Sequence, residues 1–204
     1  DIRQRLEQLV ELSNAYRGTA MVLGDVIESD DEYTGEHCKS VVALALAVAD
    51  ALGLDSAQRR RVEFGALLHD VGKVAIPKEI INKRGPLDAE EWEIIKTHTV
   101  EGQRMLDTVG GIMSDVGRIV RAHHEKWDGT GYPRGLAGEQ IPLPARLFAV
   151  VDVYDAVTSD RPYRGPMPHD EAMDLVRAGS GSHFDPEAVR LFDGLMAERP
   201  VATA

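Results

Sequence analysis

Helical periodicity constrains this chain more than any other feature of its sequence. Apolar residues recur at helical spacing along most of the 204 residues, whereas the strict alternation that marks half-buried strands is scarce. The chain is 43% hydrophobic but only 5% aromatic, so aliphatic side chains must provide most of the packing. This length and content suffice for one medium-sized domain with its own core. The sequence therefore predicts an all-α fold.

The acidic balance of the chain limits its partners. A formal net charge of -11 is unsuited to duplex nucleic acid, which binds a basic face. The longest apolar run, residues 41–49, is too short to span a membrane, and the N-terminus lacks a hydrophobic signal segment. The single Cys38 has no internal disulfide partner, which suits a reducing compartment. We therefore expect a cytoplasmic protein without a membrane span or a duplex nucleic-acid partner.

An apolar seam with heptad spacing runs along the first predicted helix. Its positions are Ile2, Leu6, Leu9, Ser13, Tyr16, Ala20, Leu23 and Ile27. In one interpretation this helix packs on its own domain. In the other it forms a parallel homodimer seam, or a signalling helix that enters from an upstream sensor or receiver domain, since the chain does not begin with Met. The predicted division is residues 1–30 for this helix, 31–199 for the main domain and 200–204 for a tail.

Capping residues and loop composition predict the remaining elements. We expect Ser56 to cap a helix that reaches His69, and Asp88 to cap a helix that runs past His98. Residues 126–144 are rich in glycine and proline, and they form a segment too long for a plain connector. This segment is predicted to be a long ordered loop.

Histidines and aspartates at the ends of apolar helices are the candidate metal ligands. Asp152 lies within an apolar helical run, where a buried carboxylate costs several kcal/mol unless it has a strong partner. Neighbouring helical residues point about 100° apart, so His69 and Asp70 can serve adjacent positions and Asp70 could bridge two metals. His123 and His124 end another helix. Imidazole with carboxylate suits Fe, Mn, Zn, Co or Ni rather than Mg or Ca alone.

Each of these pairs has an ordinary alternative, because a lone His-Asp or His-His pair is often a solvated helix end. Their joint occurrence with Asp152 and Lys73 favours a metal site. His169 and His183 stand in polar contexts, and we expect them at the surface.

The motifs occur in a specific order that resembles the HD-GYP family, a branch of the HD metallophosphohydrolases. The matching blocks are residues 69–73, 98–102, 123–133, 152–156 and 158–164, followed by Gly181 and residues 184–186. The resemblance extends from about residue 33 to residue 185. It implies a helical bundle of the HD type with a long ordered Gly-Tyr-Pro loop.

The resemblance also implies a set of metal ligands. They are His37, His69, Asp70, His98, His123, His124 and Asp152. Asp70 would bridge, with His37, His69 and Asp152 on one metal and the other three histidines on the second. Some family members hold a third metal with a Glu at the position of Tyr33, so two transition-metal ions are expected for this chain. Iron or manganese is favoured, with Zn, Co or Ni as alternatives.

The activity implied by the resemblance is hydrolysis of cyclic di-GMP to pGpG and/or GMP by a hydroxide that bridges the two metals. Asp70 and Lys73 would be the catalytic residues. Lys73, Arg161, Arg164 and Asp155 would contact the substrate or support the site, with the two arginines on a second phosphate or a guanine edge. Such domains belong to bacterial second-messenger and two-component signalling.

The loop of Gly131, Tyr132 and Pro133 has two interpretations. By resemblance it is a lip over the site and a contact surface for a GGDEF-domain diguanylate cyclase; structurally it could be a rigid cover of the metal ligands. Two alternative functions also stay open at this point. One is a catalytically weak metal-holding domain that acts through protein contacts. The other is an HD hydrolase of another cyclic dinucleotide, such as cyclic GMP-AMP.

Overall fold

The computed structural model is built from α-helices joined by turns and short 3₁₀ segments. It describes residues 2–29, 36–160 and 165–198, with all their side chains except those of residues 28, 29 and 36–38. Within these ranges no strand occurs, and only two isolated bridges pair extended residues. The predicted all-α class is confirmed. Of the helices described, none combines the length and the apolar content that a bilayer span requires.

The α-helices of the described residues are numbered in chain order. They are α1 (Ile2–Ser29), α2 (Glu36–Ala51), α3 (Ser56–Leu68), α4 (Lys78–Ile81), α5 (Ala89–Lys96), α6 (His98–Val109), α7 (Ile112–Ala122), α8 (Leu143–Thr158), α9 (His169–Ala178) and α10 (Pro186–Glu198). A 3₁₀ turn, Val71–Ala75, follows α3, and a second, Gly138–Gln140, precedes α8.

The core lies where α2, α3 and α8 pack together, with α7, α9 and α10 closing it. Its largest fully buried apolar side chains include Leu147, Phe148, Met173, Phe184 and Phe192. Burying a side chain of this size contributes about 1.5–3 kcal/mol. Helix α8 is buried on most of its surface, and it carries the half-buried Asp152.

Helix α1 packs on the domain only through its C-terminal part. Ala20 and Ile27 are buried, whereas Leu6 and Leu9 are 58% and 62% exposed. Ile27 also lines a cavity of about 310 Å³ together with Lys73 of the first 3₁₀ turn. The heptad seam is therefore packed on α3 and this turn only at Ala20 and Ile27, since Leu23 between them is 48% exposed and Gly24 is buried in its place.

The start of α3 corrects the predicted cap by one residue. The Asp55 carboxylate accepts the backbone N–H groups of Ala57 and Gln58 at 2.9 and 2.8 Å, and the Gln58 side chain accepts the Asp55 N–H at 3.2 Å. Ser56 is thus the first helical residue. A carboxylate is the stronger acceptor beside the positive end of a helix, which explains why Asp55 takes the capping position.

The helix predicted to run past His98 is interrupted at Thr97. Its start is as expected, since Asp88 Oδ1 accepts the Glu91 N–H at 2.9 Å. At Thr97 the hydroxyl and the N–H both donate to the carbonyl of Ile94, at 2.6 and 3.0 Å, and α5 ends. His98 therefore begins a new helix, and its side chain is buried.

Two glycines bring the first 3₁₀ turn against the start of α6. A Cβ added at Gly72 would lie 1.9 Å from the His98 carbonyl oxygen and 2.5 Å from the Gly102 nitrogen. No side chain fits in that space, because real Cβ atoms do not approach backbone so closely. The missing Cβ therefore lets the segment after Asp70 touch the helix that carries His98.

Candidate metal centre

Three histidines are held in the same way by their own helices. The Nδ1 of His69, His98 and His123 lies 2.9, 2.7 and 2.6 Å from the backbone carbonyl three residues earlier. A carbonyl oxygen only accepts, so each Nδ1 carries the proton and donates it. When such a ring is neutral, its Nε2 keeps a lone pair, which is how metal-ligating histidines are usually oriented.

The ligand nitrogens of two of these histidines, His98 and His123, converge with one of His124. His98 Nε2 and His123 Nε2 are 3.4 Å apart, and both are acceptors. Two nitrogens bound to one ion at about 2.1 Å each lie roughly 3.0–3.4 Å apart for bond angles between about 90° and 110°. The ligand atoms of His98, His123 and His124 all lie within 4.8 Å of one another. This donor set fits one metal ion.

Asp70 lies between two groups of histidine ligands. Its Oδ2 is 3.2 Å from His69 Nε2 and 2.9 Å from Lys73 Nζ. Its Oδ1 is 3.5 Å from His98 Nε2. The two carboxylate oxygens therefore face different histidines, which is the arrangement that a bridging carboxylate requires.

Asp152 extends the acidic side of the cluster. It is a half-buried residue of α8, near enough for its charge to act on His69. Burial alone would lower the pKa of His69, but the neighbouring Asp70 and then Asp152 outweigh it and raise that pKa to about 9. His69 is therefore drawn towards two carboxylates. The side chain of His37, the remaining predicted ligand of this group, lies outside the described residues.

The other three histidines have the opposite electrostatics. Burial lowers the pKa of His98 and His123, and it lowers the pKa of His124 to about 3. They are neutral near pH 7 and available as ligands. Burial works against ionisation of Asp70, but the nearby Lys73 cation and the histidines hold its pKa well below the usual range. One ionised carboxylate thus adjoins three neutral imidazoles.

The Gly-Tyr-Pro loop covers this cluster. The Tyr132 ring stacks on the His124 ring with centroids 4.8 Å apart, and Lys96 Nζ lies 5.8 Å from the Tyr132 ring centroid. Burial raises the pKa of the Tyr132 hydroxyl, and the charges of Asp70 and Asp152 raise it further. Tyr132 is therefore a neutral, half-buried cover on the histidine side of the cluster.

Glu125 is the main residue of the site for which the motifs predicted no role. It is 3% exposed, and its carboxylate accepts the backbone N–H groups of Arg134 and Leu136 at 2.8 and 3.0 Å. Gly131 supports the same fold of the loop, because a Cβ there would lie 2.3 Å from the Lys126 nitrogen. The only sequence signal was an acidic residue directly after two histidines. Its partners lie nine and eleven residues further on.

Of the remaining predicted site residues, only some lie in the described part of the chain. Asp155 is buried near the end of α8, where it accepts a hydrogen bond from Ser159 Oγ at 3.0 Å. Arg161, Arg164 and Tyr33 lie outside the described residues. The predicted substrate contacts of both arginines, and the inference on metal count drawn from Tyr33, therefore stay predictions.

The two histidines expected at the surface are half-buried. His169 Nδ1 lies 2.8 Å from the Tyr154 hydroxyl, and the His183 ring stacks on Phe184 with centroids 4.3 Å apart. Their polar sequence context concealed these aromatic partners. Within the described part of the chain, neither belongs to the group of convergent histidine ligands.

Fold and cluster together define an all-α domain with a histidine–aspartate cluster that could hold metal ions. The family model described as "HD domain" matches residues 21–188, and the chain belongs to this family. The resemblance predicted from the motifs is thereby confirmed.

Curated relatives cover most of this chain. A cyclic di-GMP phosphodiesterase of Pseudomonas aeruginosa is 43% identical over 175 residues, which are 86% of this chain and 42% of the relative. A 3'3'-cGAMP-specific phosphodiesterase of Vibrio cholerae is 34% identical over 189 residues, 92% of this chain and 36% of the relative. The chain thus spans less than half the length of either protein.

Solved structures share the fold. A cyclic GMP-AMP specific phosphodiesterase of Vibrio cholerae superposes with a TM-score of 0.67 at 19% identity, over 88% of this chain and 49% of the other. At this identity the likeness concerns the helical architecture alone.

Proposed function

We propose that this chain is the catalytic domain of a metal-dependent phosphodiesterase that hydrolyses cyclic di-GMP to pGpG and/or GMP. The observation that carries the proposal is Asp70, whose two oxygens face His69 on one side and His98 on the other. Such a carboxylate can join two metal sites at the spacing that phosphoester hydrolysis uses. The name of the Pseudomonas relative supports cyclic di-GMP as the substrate.

The proposed ligands form two groups that share Asp70. His37, His69 and Asp152 would complete one site. The three histidines with convergent nitrogens, His98, His123 and His124, would complete the other. When bound, the metals supply Lewis-acid chemistry that polarises the phosphodiester and brings the pKa of a water towards neutrality.

The protein's own charged residues would bind and orient the substrate. Lys73 holds its cation 2.9 Å from the Asp70 carboxylate, at the edge of the cluster, where it can also attract a phosphate oxygen. We propose that Arg161 and Arg164 bind the second phosphate or a guanine edge. Asp155 would position this segment from the end of α8. Tyr132 would exclude water from the histidine side.

The activity is tested with purified protein loaded with Fe(II) or Mn(II) under anaerobic, reducing conditions. We expect conversion of cyclic di-GMP to pGpG or GMP, monitored by chromatography. The H98A variant should lose more than about 100-fold in rate, since it removes a ligand of the buried cluster. H183A is the matched control, because this half-buried histidine lies outside the ligand group, and it should retain activity. Absence of any nucleotide product with verified metal occupancy would rule out the enzyme.

Cyclic GMP-AMP is the second candidate substrate. The Vibrio relative is named for this specificity and is 34% identical to the chain. Rates with the two dinucleotides, measured separately and in competition on one metal-loaded sample, distinguish the candidates. We expect cyclic di-GMP to be preferred. A catalytically weak domain that acts through protein contacts would bind metal but turn over neither substrate.

The identity of the metals is part of the proposal. Imidazole with carboxylate suits iron or manganese, with zinc, cobalt or nickel as alternatives, and two ions are expected per chain. Metal analysis of protein purified without oxygen, combined with product identification on the same sample, tests both the ions and their number. Two equivalents of a redox-inert ion such as zinc in the most active sample would contradict iron and manganese.

The proposed partners rest on two exposed surfaces. The Gly-Tyr-Pro loop has an exposed rim that could contact a GGDEF-domain diguanylate cyclase in the cytoplasm. The first half of α1 could pair with a second copy or continue from an upstream sensor or receiver domain of a two-component system. Light scattering on L6D/L9D and wild type tests the homodimer. A wild-type monomer at high concentration would count against it.

A further inference from the structure

An arginine-lined cavity of about 260 Å³ lies behind the Gly-Tyr-Pro loop. It is bounded by α6, by the end of α7 and by the loop that follows, and its walls include Arg118, Arg121 and Arg134. Arg118 and Arg121 are three residues apart on α7, so they share one face of this helix, and Glu125 follows in the loop after it. His123 stands two positions after Arg121, about 200° around the helix axis. The cavity therefore opens on the opposite side of α7 from the metal centre.

The cations of this cavity have too few carboxylates to balance them. Asp115 is shared between Arg118 and Arg61, each at 2.9 Å. Arg121 donates to a neutral partner, the Gln103 side-chain oxygen, at 3.1 Å. Among residues 2–29, 36–160 and 165–198, no carboxylate forms an ion pair with Arg121 or Arg134. An excess of positive charge at one place stands out in a chain whose formal net charge is -11.

The one carboxylate in the cavity wall is already engaged. Glu125 accepts the backbone N–H groups of Arg134 and Leu136, and it is 3% exposed. Its charge reduces the excess but does not remove it, because three arginines line the same space. The cavity therefore keeps a positive balance.

Arg121 is also poorly solvated. Its Nε is buried and finds no hydrogen-bond acceptor within the described part of the chain. The unsatisfied Nε–H raises the free energy of the protein, since a buried donor without an acceptor costs free energy. Its attraction for an anion is screened less than at an open surface. Burial thus makes the positive charge more effective.

We propose that this cavity binds a compact phosphate-bearing ligand of about mononucleotide size. Guanidinium groups match the geometry of phosphate oxygens, and three arginines line this cavity. The volume suits one nucleotide rather than a cyclic dinucleotide. The site uses none of the proposed metal ligands, so it does not depend on the activity proposed above.

Equilibrium dialysis of metal-loaded protein against GMP tests the proposal. The variant R121Q/R134Q should bind one equivalent less GMP than wild type, and its affinity for inorganic phosphate should fall at least tenfold. The control R177Q/R190Q makes the same change in net charge at two exposed arginines and should bind like wild type. Both arginines of the control lie on α9 and α10, away from the cavity.

The location of the site has its own readout. Phosphate should shift the backbone amide NMR signals of Arg134 and Leu136 in the wild type, because both N–H groups bond to Glu125 in the cavity wall. If R121Q/R134Q fails to fold, R134Q alone replaces an exposed side chain and should still weaken phosphate binding several-fold.

Three outcomes would overturn the proposal. The first is a wild-type number of GMP equivalents in the correctly folded R121Q/R134Q variant. The second is an equal loss in R177Q/R190Q, which would indicate a general effect of charge. The third is acetate that competes as well as phosphate, which would exclude phosphate as the recognised group.

Discussion

Individual histidines in this chain are oriented by backbone carbonyls rather than by distant side chains. His69, His98 and His123 each use the carbonyl three residues earlier, so each ring is held by the helix turn that carries it. This local arrangement explains why short motifs predicted most of the cluster. The convergence of the rings depends on packing, which the sequence could not provide.

Replacing Asp70 with alanine tests the shared carboxylate. Because its oxygens face two groups of histidines, D70A should lose metal at both proposed sites and more than about 100-fold in activity. Metal content per chain and hydrolysis rate are the measurements. D107A removes an exposed carboxylate of α6 and should change neither. Retention of two metals by D70A would refute the bridging position.

The hydrogen bonds of Glu125 lead to a prediction about the stability of the Gly-Tyr-Pro loop. The substitution E125Q leaves one acceptor for two backbone N–H groups, so it should lower the free energy of unfolding by about 1–3 kcal/mol. Metal affinity should also fall about 10- to 100-fold, because the loop covers His124. Urea unfolding and metal titration measure the two effects.

E139Q is the matched control for this substitution, because Glu139 lies in an exposed 3₁₀ turn of the same loop region. We expect it to leave both quantities near the wild-type values. If E125Q behaves like E139Q, the hydrogen bonds of Glu125 do not organise the loop.

Among the secondary-structure elements, a close contact between two backbones sets the position of the elements that carry the proposed metal ligands. The 3₁₀ turn after Asp70 touches α6 because neither Gly72 nor Gly102 has a side chain. This contact brings Asp70 and His98 into the same cluster although they belong to different segments. A glycine pair separated by about thirty residues produces no local signal of such an approach.

Alanine at Gly72 should separate these two elements. The added Cβ would lie 1.9 Å from the His98 carbonyl, so G72A should lower the free energy of unfolding by at least about 2 kcal/mol and reduce metal affinity. In α10, Gly194 has no atom within 4 Å of its added Cβ. G194A should therefore stabilise the helix by up to about 1 kcal/mol. Equal thermal stability of both variants would contradict the packing argument.

Several elements could be predicted from the sequence, and their errors have physical causes. The helix capped by Asp88 begins where its capping signal places it. The cap of α3 was misplaced because Ser56 and Asp55 are both good caps and only the hydrogen bonds distinguish them. The break at Thr97 was missed because the apolar pattern continues across it. The spacing of apolar residues predicts which face of a helix is buried, whereas hydrogen bonds from side chains to the backbone determine where the helix ends.

For the molecule as a whole, the metal-free protein should be most stable near pH 6.5. His124 has a folded pKa of about 3, so its contribution is present above its unfolded value of about 6.5 and is lost as the pH falls towards 3. The lowered pKa values of His98 and His123 act in the same direction. The folded pKa of His69 is about 9, so its contribution is present below about 6.5 and is lost as the pH rises through 9.

Urea unfolding of chelated protein between pH 4 and pH 10 measures this profile. The decline on the acid side should become smaller in H124A, because that variant removes one buried neutral imidazole. A stability that rises steadily from pH 6.5 to pH 9 would contradict the raised pKa of His69.

Metal should stabilise the molecule by mass action. Ions that bind only the folded chain add about 2.7 kcal/mol when their free concentration is a hundred times the dissociation constant. Removal of metal by a chelator should therefore lower the melting temperature of wild type. It should leave D70A almost unchanged. An equal drop in D70A would mean that the stabilising ions bind elsewhere.

The length of helix α1 and its attachment near Lys73 connect its exposed end to the candidate site. Its 28 residues extend over about 42 Å, and only its C-terminal part is anchored on the domain. Ile27, near the anchored end, shares a cavity with Lys73, whose ammonium group contacts the Asp70 carboxylate. An α-helix of this length behaves as a stiff rod, so a small rotation at its exposed end is transmitted to its anchored end. A rotation of α1 would therefore act first on the surroundings of Lys73, the residue that contacts the carboxylate we propose as the metal bridge.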